Sequence, residues 1–261
     1  MDFCSIASGS SGNCYFIREK ETAILIDAGI SARRIEKTLG EITPFKPAEL
    51  SGIFITHEHT DHIQGLRVFA RKFNLPIYAT FGTWQGMADK LHDVPPELCR
   101  VIEDRGIFEL DNMSLSWFPL SHDALQPVGY TVEGGGKKLG LATDTGVLPE
   151  VSKTFLKNCD FLVMESNYDE NMLKKGSYPS YLKARILSKE GHLSNIDAGE
   201  ALLGLLNSRT KRVALAHLSG DNNCPYLALK TVKNILAKKE WDDKIILETV
   251  PRGMCGKYFS I

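Results

Sequence analysis

His57-Glu58-His59-Thr60-Asp61-His62 stands directly after the apolar run Ile53-Phe54-Ile55-Thr56, and the rest of the chain is organised around this hexapeptide. With 7 histidines among 261 residues, random placement would give an HxHxDH string in roughly three of every ten thousand chains, so chance does not account for it. The apolar, β-branched run before it is a strand signal. Alternation in the extended turn that follows puts His57 and His59 on one side, with Asp61 and His62 beside them at the start of the next helix. Two adjacent metal sites result. A lone histidine is more often a surface or satisfied core residue, but three within six residues around an aspartate are not explained that way.

Four side chains cannot complete two metal shells, so further imidazoles or carboxylates are required at the ends of other strands. The chain supplies them: His122 follows SLSWFPL, Asp144 follows KKLGLAT and His217 follows RVALA. Each stands where a strand leaves its sheet, and side chains at strand ends on one edge of a sandwich can converge. All seven donors are imidazole or carboxylate, which suits Zn²⁺, Mn²⁺ and Fe²⁺ alike.

Short β-branched or aromatic runs predict strands over 15–18, 23–27, 53–56, 77–79, 114–118, 129–132, 139–142, 161–164, 212–216 and 245–248. Apolar spacing of three and four predicts helices over 31–39, 63–73, 149–156, 195–206 and 225–239, with Ser31, Pro149 and Asn195 as start signals and loops over 40–50 and 133–138. This order suggests two packed sheets with helices outside, a four-layer α/β arrangement, although composition alone does not separate it from a doubly wound sheet. No repeat, low-complexity tract or linker divides the chain, so residues 1–261 are read as one domain. Hydrophobic residues at 43% and charged residues at 24% are ordinary for a globular fold, which excludes disordered and collagen-like classes.

The full pattern resembles the metallo-β-lactamase superfamily: HxHxDH, a single His, an Asp in ATDTG and a last His in AHLSGDN. The resemblance implies an αββα sandwich in which His57, His59 and His122 hold one metal, Asp61, His62 and His217 the other, and Asp144 bridges. It also implies that Asp27, closing AILID, supports the ligand loop by hydrogen bonding. SIASGSSGNC, MESNYDENML, GSYPSYLKARI and GHLSN are similar to the YycJ group, also called WalJ or VicX, which more distantly resembles ribonuclease Z and the phosphodiesterase PhnP. That likeness implies phosphodiester hydrolysis and, for the group, a 5′ to 3′ exonuclease acting on DNA.

Such chemistry suits the residues. Two divalent cations bring water toward deprotonation at neutral pH and neutralise charge on phosphoryl oxygens, so a metal-activated hydroxide attacks and no serine or cysteine is needed. A leaving alkoxide still needs a proton. His192 in GHLSN matches the extra histidine of phosphodiesterase relatives, and Glu165 at the end of FLVME is placed to orient it. Asp61, His192 and Glu165 thus form the expected catalytic set. The plainer reading of GHLSN is a helix start capped by Ser194 and Asn195, and even so a helix N-terminus offers an anion site, which makes Ser194 and Asn195 candidate phosphate contacts. Ser8-Gly9-Ser10-Ser11-Gly12-Asn13 reads either as a hairpin turn or as a loop bringing Ser10, Ser11 or Asn13 to the metals or the phosphate. It lacks the lysine of a Walker A loop.

Lys plus Arg at 31 against Asp plus Glu at 32 leave a net charge of -1, with no global pull toward nucleic acid or anionic membrane. A polyanion would need a local patch. Basic clusters occur at Arg67, Arg71 and Lys72, at Lys174 and Lys175, and at Lys183, Arg185 and Lys189, the last two groups lying between Asp144 and His192. DNA is the favoured partner. Alternatives are a nucleotide or cyclic phosphodiester, or a thioester or lactone cleaved as in glyoxalase II, which needs the same ligands without the GHLSN histidine. A non-enzymatic signalling module is disfavoured by the intact ligand set. Ribonuclease J is disfavoured because no large second domain fits, and ribonuclease Z because the stretch after Asp144 holds no long Gly/Pro-rich arm. The six cysteines lack any CxxC spacing, and most of them are read as buried thiols. MDFCSIASGSSGNC has no basic stretch leading into an apolar one, and no transmembrane run follows, so the chain is read as cytoplasmic, with no membrane contact and no protein partner legible.

Overall fold

The computed structural model describes residues 1–103 and 106–261. One sheet contains β1 (Asp2–Ala7), β2 (Cys14–Glu19), β3 (Thr22–Ile26), β4 (Gly52–Phe54), β5 (Ile77–Thr80) and β6 (Cys99–Ile102). The other contains β7 (Ile107–Leu110), β8 (Met113–Pro119), β9 (Val128–Gly134), β10 (Lys137–Ala142), β11 (Phe161–Glu165), β12 (Arg212–Ala216) and β13 (Ile246–Thr249). β14 (Phe259–Ser260) returns to pair with β1 and completes the first sheet. Each sheet is built alike. β1, β2 and β3 run antiparallel and β3 to β6 parallel, while β7 to β10 run antiparallel and β10 to β13 parallel.

Alternation along the strands builds three apolar layers. Tyr15, Ile24, Ile26, Phe54, Leu115, Tyr130, Leu141, Phe161 and Val163 fill the space between the sheets. Phe54 stacks on Tyr78 at 4.5 Å between ring centroids and meets Tyr130 edge-on at 6.0 Å. Outside the first sheet lie α1 (Ala32–Ile42), α2 (Thr60–Ile63), α3 (Leu66–Phe73) and α4 (Phe81–Met87), whose Ile35, Leu39, Leu66, Phe69 and Met87 cover its outer face. Beyond them in the chain come α5 (Glu150–Leu156), α6 (Glu170–Lys175), α7 (Ser180–Ile186), α8 (Asn195–Leu205) and α9 (Pro225–Ala237). Leu156, Leu202, Val232 and Leu236 cover the outer face of the second sheet. The result is helix, sheet, sheet, helix, the four-layer arrangement expected from the sequence.

Differences from the sequence reading have local causes. The helix expected over 63–73 is two, because Gly65 presses against the loop after β3: a Cβ there would lie 2.1 Å from the Ile30 carbonyl oxygen. Gly65 also donates its backbone N–H to Ala28, so the chain re-enters the helix only at Leu66. The helix over 195–206 begins one residue after its true cap, Ser194, whose hydroxyl accepts from the Asp197 N–H. α1 runs on to Ile42, into the stretch expected to be loop. α4, α6 and α7 were not expected, and neither were the bounds of β1, β6, β7 and β14.

Parallel pairing sets the position of the site. The C-terminal ends of parallel strands lie on one edge of each sheet, and from them emerge Asp27 after β3, Thr56 and His57 after β4, Asp144 after β10, Glu165 at the end of β11 and His217 after β12. Asp27, Asp144 and His217 take positive φ of 61°, 61° and 55°. Such angles are uncommon for residues with a side chain and concentrate where a site demands them. They turn the backbone sharply at the strand exit.

Candidate metal centre

Six histidines and their acids converge at this edge, and each imidazole commits one nitrogen to a fixed protein partner. His62 Nδ1 lies 2.7 Å from Asp27 Oδ2, and His57 Nδ1 lies 3.0 Å from Thr56 Oγ1. The same hydroxyl donates to Asp27, at 2.9 Å from Oδ2, so Asp27 and Thr56 orient both rings. His122 Nδ1 is 3.0 Å from the Gly191 carbonyl, His59 Nε2 is 3.1 Å from the Asp123 carbonyl, and His217 Nδ1 is 2.9 Å from Glu165 Oε1. His192 Nδ1 reaches the same Glu165 oxygen at 2.8 Å. Such outer partners fix the tautomer and aim the other nitrogen inward, as around metal-ligating histidines.

The inward atoms cluster. Donor atoms of His57, His59 and His122 lie within 4.8 Å of one another, as do those of Asp61, His62 and His217. Asp144 stands between the two groups: Oδ2 is 3.3 Å from His62 Nε2, while Oδ1 is 3.3 Å from His217 Nδ1 and 4.0 Å from His122 Nε2. Among the described residues, His57 Nε2, His217 Nε2 and Asp144 Oδ2 are buried without a hydrogen-bond partner. An orphaned buried polar atom costs on the order of 1–3 kcal/mol. Three such atoms in one cluster made only of imidazole and carboxylate donors fit divalent metal binding.

The electrostatics point the same way. Burial alone would raise the Asp144 carboxyl, but the His217 and His62 imidazoles outweigh it and hold Asp144 well below the usual carboxylate range. Burial disfavours charge on His217 too, yet Asp144, Asp61 and Glu165 push it up to about 10. His62 is likewise raised, by Asp27 and Asp144 against burial, whereas burial keeps His57 and His122 below the ordinary histidine value. Protons on His62 and His217 therefore occupy the place of cationic charge when no metal is bound.

Comparison with known proteins agrees with this geometry. The β-lactamase superfamily domain matches residues 22–218. The chain is 39% identical over 244 residues to the exodeoxyribonuclease YycJ of Bacillus anthracis, covering 92% of this chain and 90% of the relative. It belongs to the metallo-β-lactamase superfamily and, within it, to the YycJ/WalJ group. The exodeoxyribonuclease WalJ of Streptococcus pneumoniae serotype 2 is 40% identical over 237 residues, covering 90% of this chain and 88% of the relative. The metallo-β-lactamase fold protein YhfI of Bacillus subtilis shares the fold, with a TM-score of 0.72, 14% identity and 98% of both chains covered.

Within this metallo-β-lactamase frame the seven candidate ligands lie together, and Asp27 hydrogen-bonds His62. Glu165 does more than orient His192: it also holds His217, and its Oε2 accepts from the backbone of Thr145 and Leu193 at 2.8 and 3.2 Å. The expected substrate contacts divide. Ser194 and Asn195 are 0% and 1% exposed, with the Ser194 hydroxyl bound to Asp197 and the Asn195 amide to Ser166 and Asn223, so these side chains hold the fold and do not face a ligand. Asn13 is also buried, 3.0 Å from His62 Nε2 through its Nδ2. Ser10 and Ser11 are exposed on the turn between β1 and β2.

Sequence reasoning passed over Thr56, Ser8, whose Oγ accepts from the His217 backbone at 2.9 Å, and Asn167, which donates to the His217 carbonyl at 2.9 Å. It also passed over Asp123, which contacts His122 at 3.4 Å and binds Arg185 through both carboxylate oxygens. The basic clusters prove largely paired: Arg67 and Arg71 with Asp93, Lys72 with Glu36 and Lys174 with Glu170. Among the described residues no helix is long and apolar enough to cross a membrane.

Proposed function

We propose that residues 1–261 form one hydrolase domain acting on phosphodiesters in the cytoplasm, and that its substrate is DNA, degraded 5′ to 3′. What carries this reading is the match over nine-tenths of the chain to relatives named exodeoxyribonucleases. His57, His59 and His122 would hold one divalent cation and Asp61, His62 and His217 a second, with Asp144 between them, zinc or manganese suiting the donors best and iron also. Bound there, the cations supply Lewis acidity toward the phosphoryl oxygens and an acidified water.

The chain's own residues handle the departing group. Glu165, held ionised at about 2 by His192 and His217 against the effect of burial, accepts a hydrogen bond from His192 Nδ1 and fixes the orientation of the ring. Nε2 is then the nitrogen left to give a proton to the leaving alkoxide. Asp61, beside His62 and His217 at 3.7 and 3.8 Å, is placed to accept a hydrogen bond from the attacking water. The internal pairing of the basic clusters favours a second reading, in which the substrate is a nucleotide or cyclic phosphodiester that needs no extended basic track.

The test is incubation of metal-loaded protein with end-labelled single-stranded and duplex DNA, RNA and a bis-aryl phosphodiester. Mononucleotide release from the 5′ end of DNA is expected. Turnover of the small ester alone would replace this reading with the second.

A further inference from the structure

We propose that the turn Gly9–Gly12 and Arg252 form a receptor for a terminal phosphate monoester, the 5′-phosphate of the strand being degraded. This inference rests on the phosphodiesterase reading and names how the enzyme finds an end. The Arg252 side chain lies across two glycines from separate loops. A Cβ on Gly220 would lie 1.3 Å from an Arg252 guanidinium nitrogen, and one on Gly9 would lie 3.0 Å from its Cγ. The space those side chains would fill is taken by the arginine, which fixes the guanidinium between the serine turn and the loop after His217.

Arg252 is exposed, and among the described residues it has no hydrogen bond or ion pair. Asp221, next to Gly220, accepts a 2.7 Å hydrogen bond from the Tyr178 hydroxyl. Ser11 Oγ stands 3.9 Å from the Cβ position of Gly253, so the hydroxyl adjoins the residue next to Arg252. A second guanidinium, Arg34, donates to the Gly253 carbonyl at 2.6 Å. The turn is anchored to the metal centre: Ser8 Oγ accepts from the His217 backbone, Asn13 Oδ1 accepts from the Gly9 N–H at 2.9 Å, and the Asn13 N–H donates to the Asp61 carbonyl at 2.7 Å.

Arg185, at the His59 and His122 end of the centre, is neutralised by Asp123. Arg252, by contrast, makes no ion pair with a carboxylate among the described residues. A planar donor fork, with the Ser11 hydroxyl against the neighbouring Gly253, matches the several acceptor oxygens of a dianionic monoester better than those of an internal diester.

Fluorescence anisotropy tests this with metal-loaded protein and a 3′-labelled phosphorothioate oligodeoxynucleotide, which resists cutting, bearing a 5′-phosphate or a 5′-hydroxyl. The phosphorylated strand should bind roughly 10- to 100-fold more tightly. Arg252→Met should bring it to the level of the hydroxyl strand, and Ser11→Ala should remove part of the preference at an unchanged thermal midpoint. Equal binding of the two strands by the unaltered protein, or a preference that survives in Arg252→Met and Ser11→Ala, overturns the assignment. Preference for the phosphorylated strand without any cutting of ordinary DNA would sustain the receptor and remove the exonuclease reading.

Discussion

Asp27 Oδ2 receives a 2.7 Å hydrogen bond from His62 Nδ1, and both side chains are completely buried. Asp27 also accepts from the backbone and hydroxyl of Thr56, which in turn meets His57. One carboxylate thus sets the tautomer of an imidazole in one subsite and steadies an imidazole in the other. Asp27→Asn keeps the volume but loses an acceptor and its charge. Metal affinity should fall about 10- to 100-fold, more at the Asp61, His62 and His217 subsite than at the other. Competition against a chromophoric chelator measures this, and unchanged affinity at both subsites would show that Asp27 does not tune the ligands.

His192 is half-way between solvent and core, with Nδ1 on Glu165 and 3.7 Å from Asp144. If it donates the leaving-group proton, His192→Ala should lower turnover about 10²- to 10⁴-fold while metal content stays near that of the unaltered enzyme. Glu165→Gln should differ, because Glu165 also binds His217: both turnover and metal retention should drop. A substrate with an acidic phenol leaving group needs little protonation and should be spared in His192→Ala. Elemental analysis alongside rates on alkyl and aryl esters separates the cases, and equal losses on both esters would deny His192 the acid role.

The candidate ligands were legible because strand exits leave a pattern: an apolar run, then a His or Asp, repeated around the chain. Their supports were not. Thr56, Ser8 and Asn167 act through single hydroxyl or amide contacts made after folding, and no spacing announces them. α6 and α7 span 6 and 7 residues, too short for an apolar period to emerge, and their lysines and arginine read as a free basic patch although Glu170 and Asp123 pair with two of them. β6 and β7 show mixed burial near one end of each sheet and so lack a clean alternation. Ser194 and Asn195 were read as possible phosphate contacts because capping and anion binding use the same residue types; burial selects the first.

The inter-sheet layer should dominate stability. Phe54 is fully buried and touches Tyr78, Phe108 and Tyr130, rings drawn from both sheets. Phe54→Ala would leave a cavity that these rigid strands cannot close, at a cost of about 3–5 kcal/mol. Denaturant unfolding measures it. A loss below about 1 kcal/mol would mean that the layer repacks.

The charge distribution predicts opposite pH responses with and without metal. His217 rises from an unfolded value of 6.5 to about 10 in the fold, so its stabilising contribution is complete below about pH 6.5 and is lost as pH climbs through 10; His62 acts in the same sense. Burial depresses His57 and His122, so the unfolded chain takes up their protons first and stability falls as pH drops below 6.5. Glu165, lowered from 4.5 to about 2, withdraws its contribution as pH falls from 4.5 through 2. Metal-free protein should therefore be most stable near pH 6.5 and lose thermal midpoint toward pH 9. Divalent metal needs the neutral imidazoles of His62 and His217, so its binding releases protons and the metal-loaded midpoint should rise over the same interval. Differential scanning calorimetry from pH 5 to 9, with chelator and with metal, draws both curves, and parallel curves would contradict the exchange of protons for cations at these two histidines.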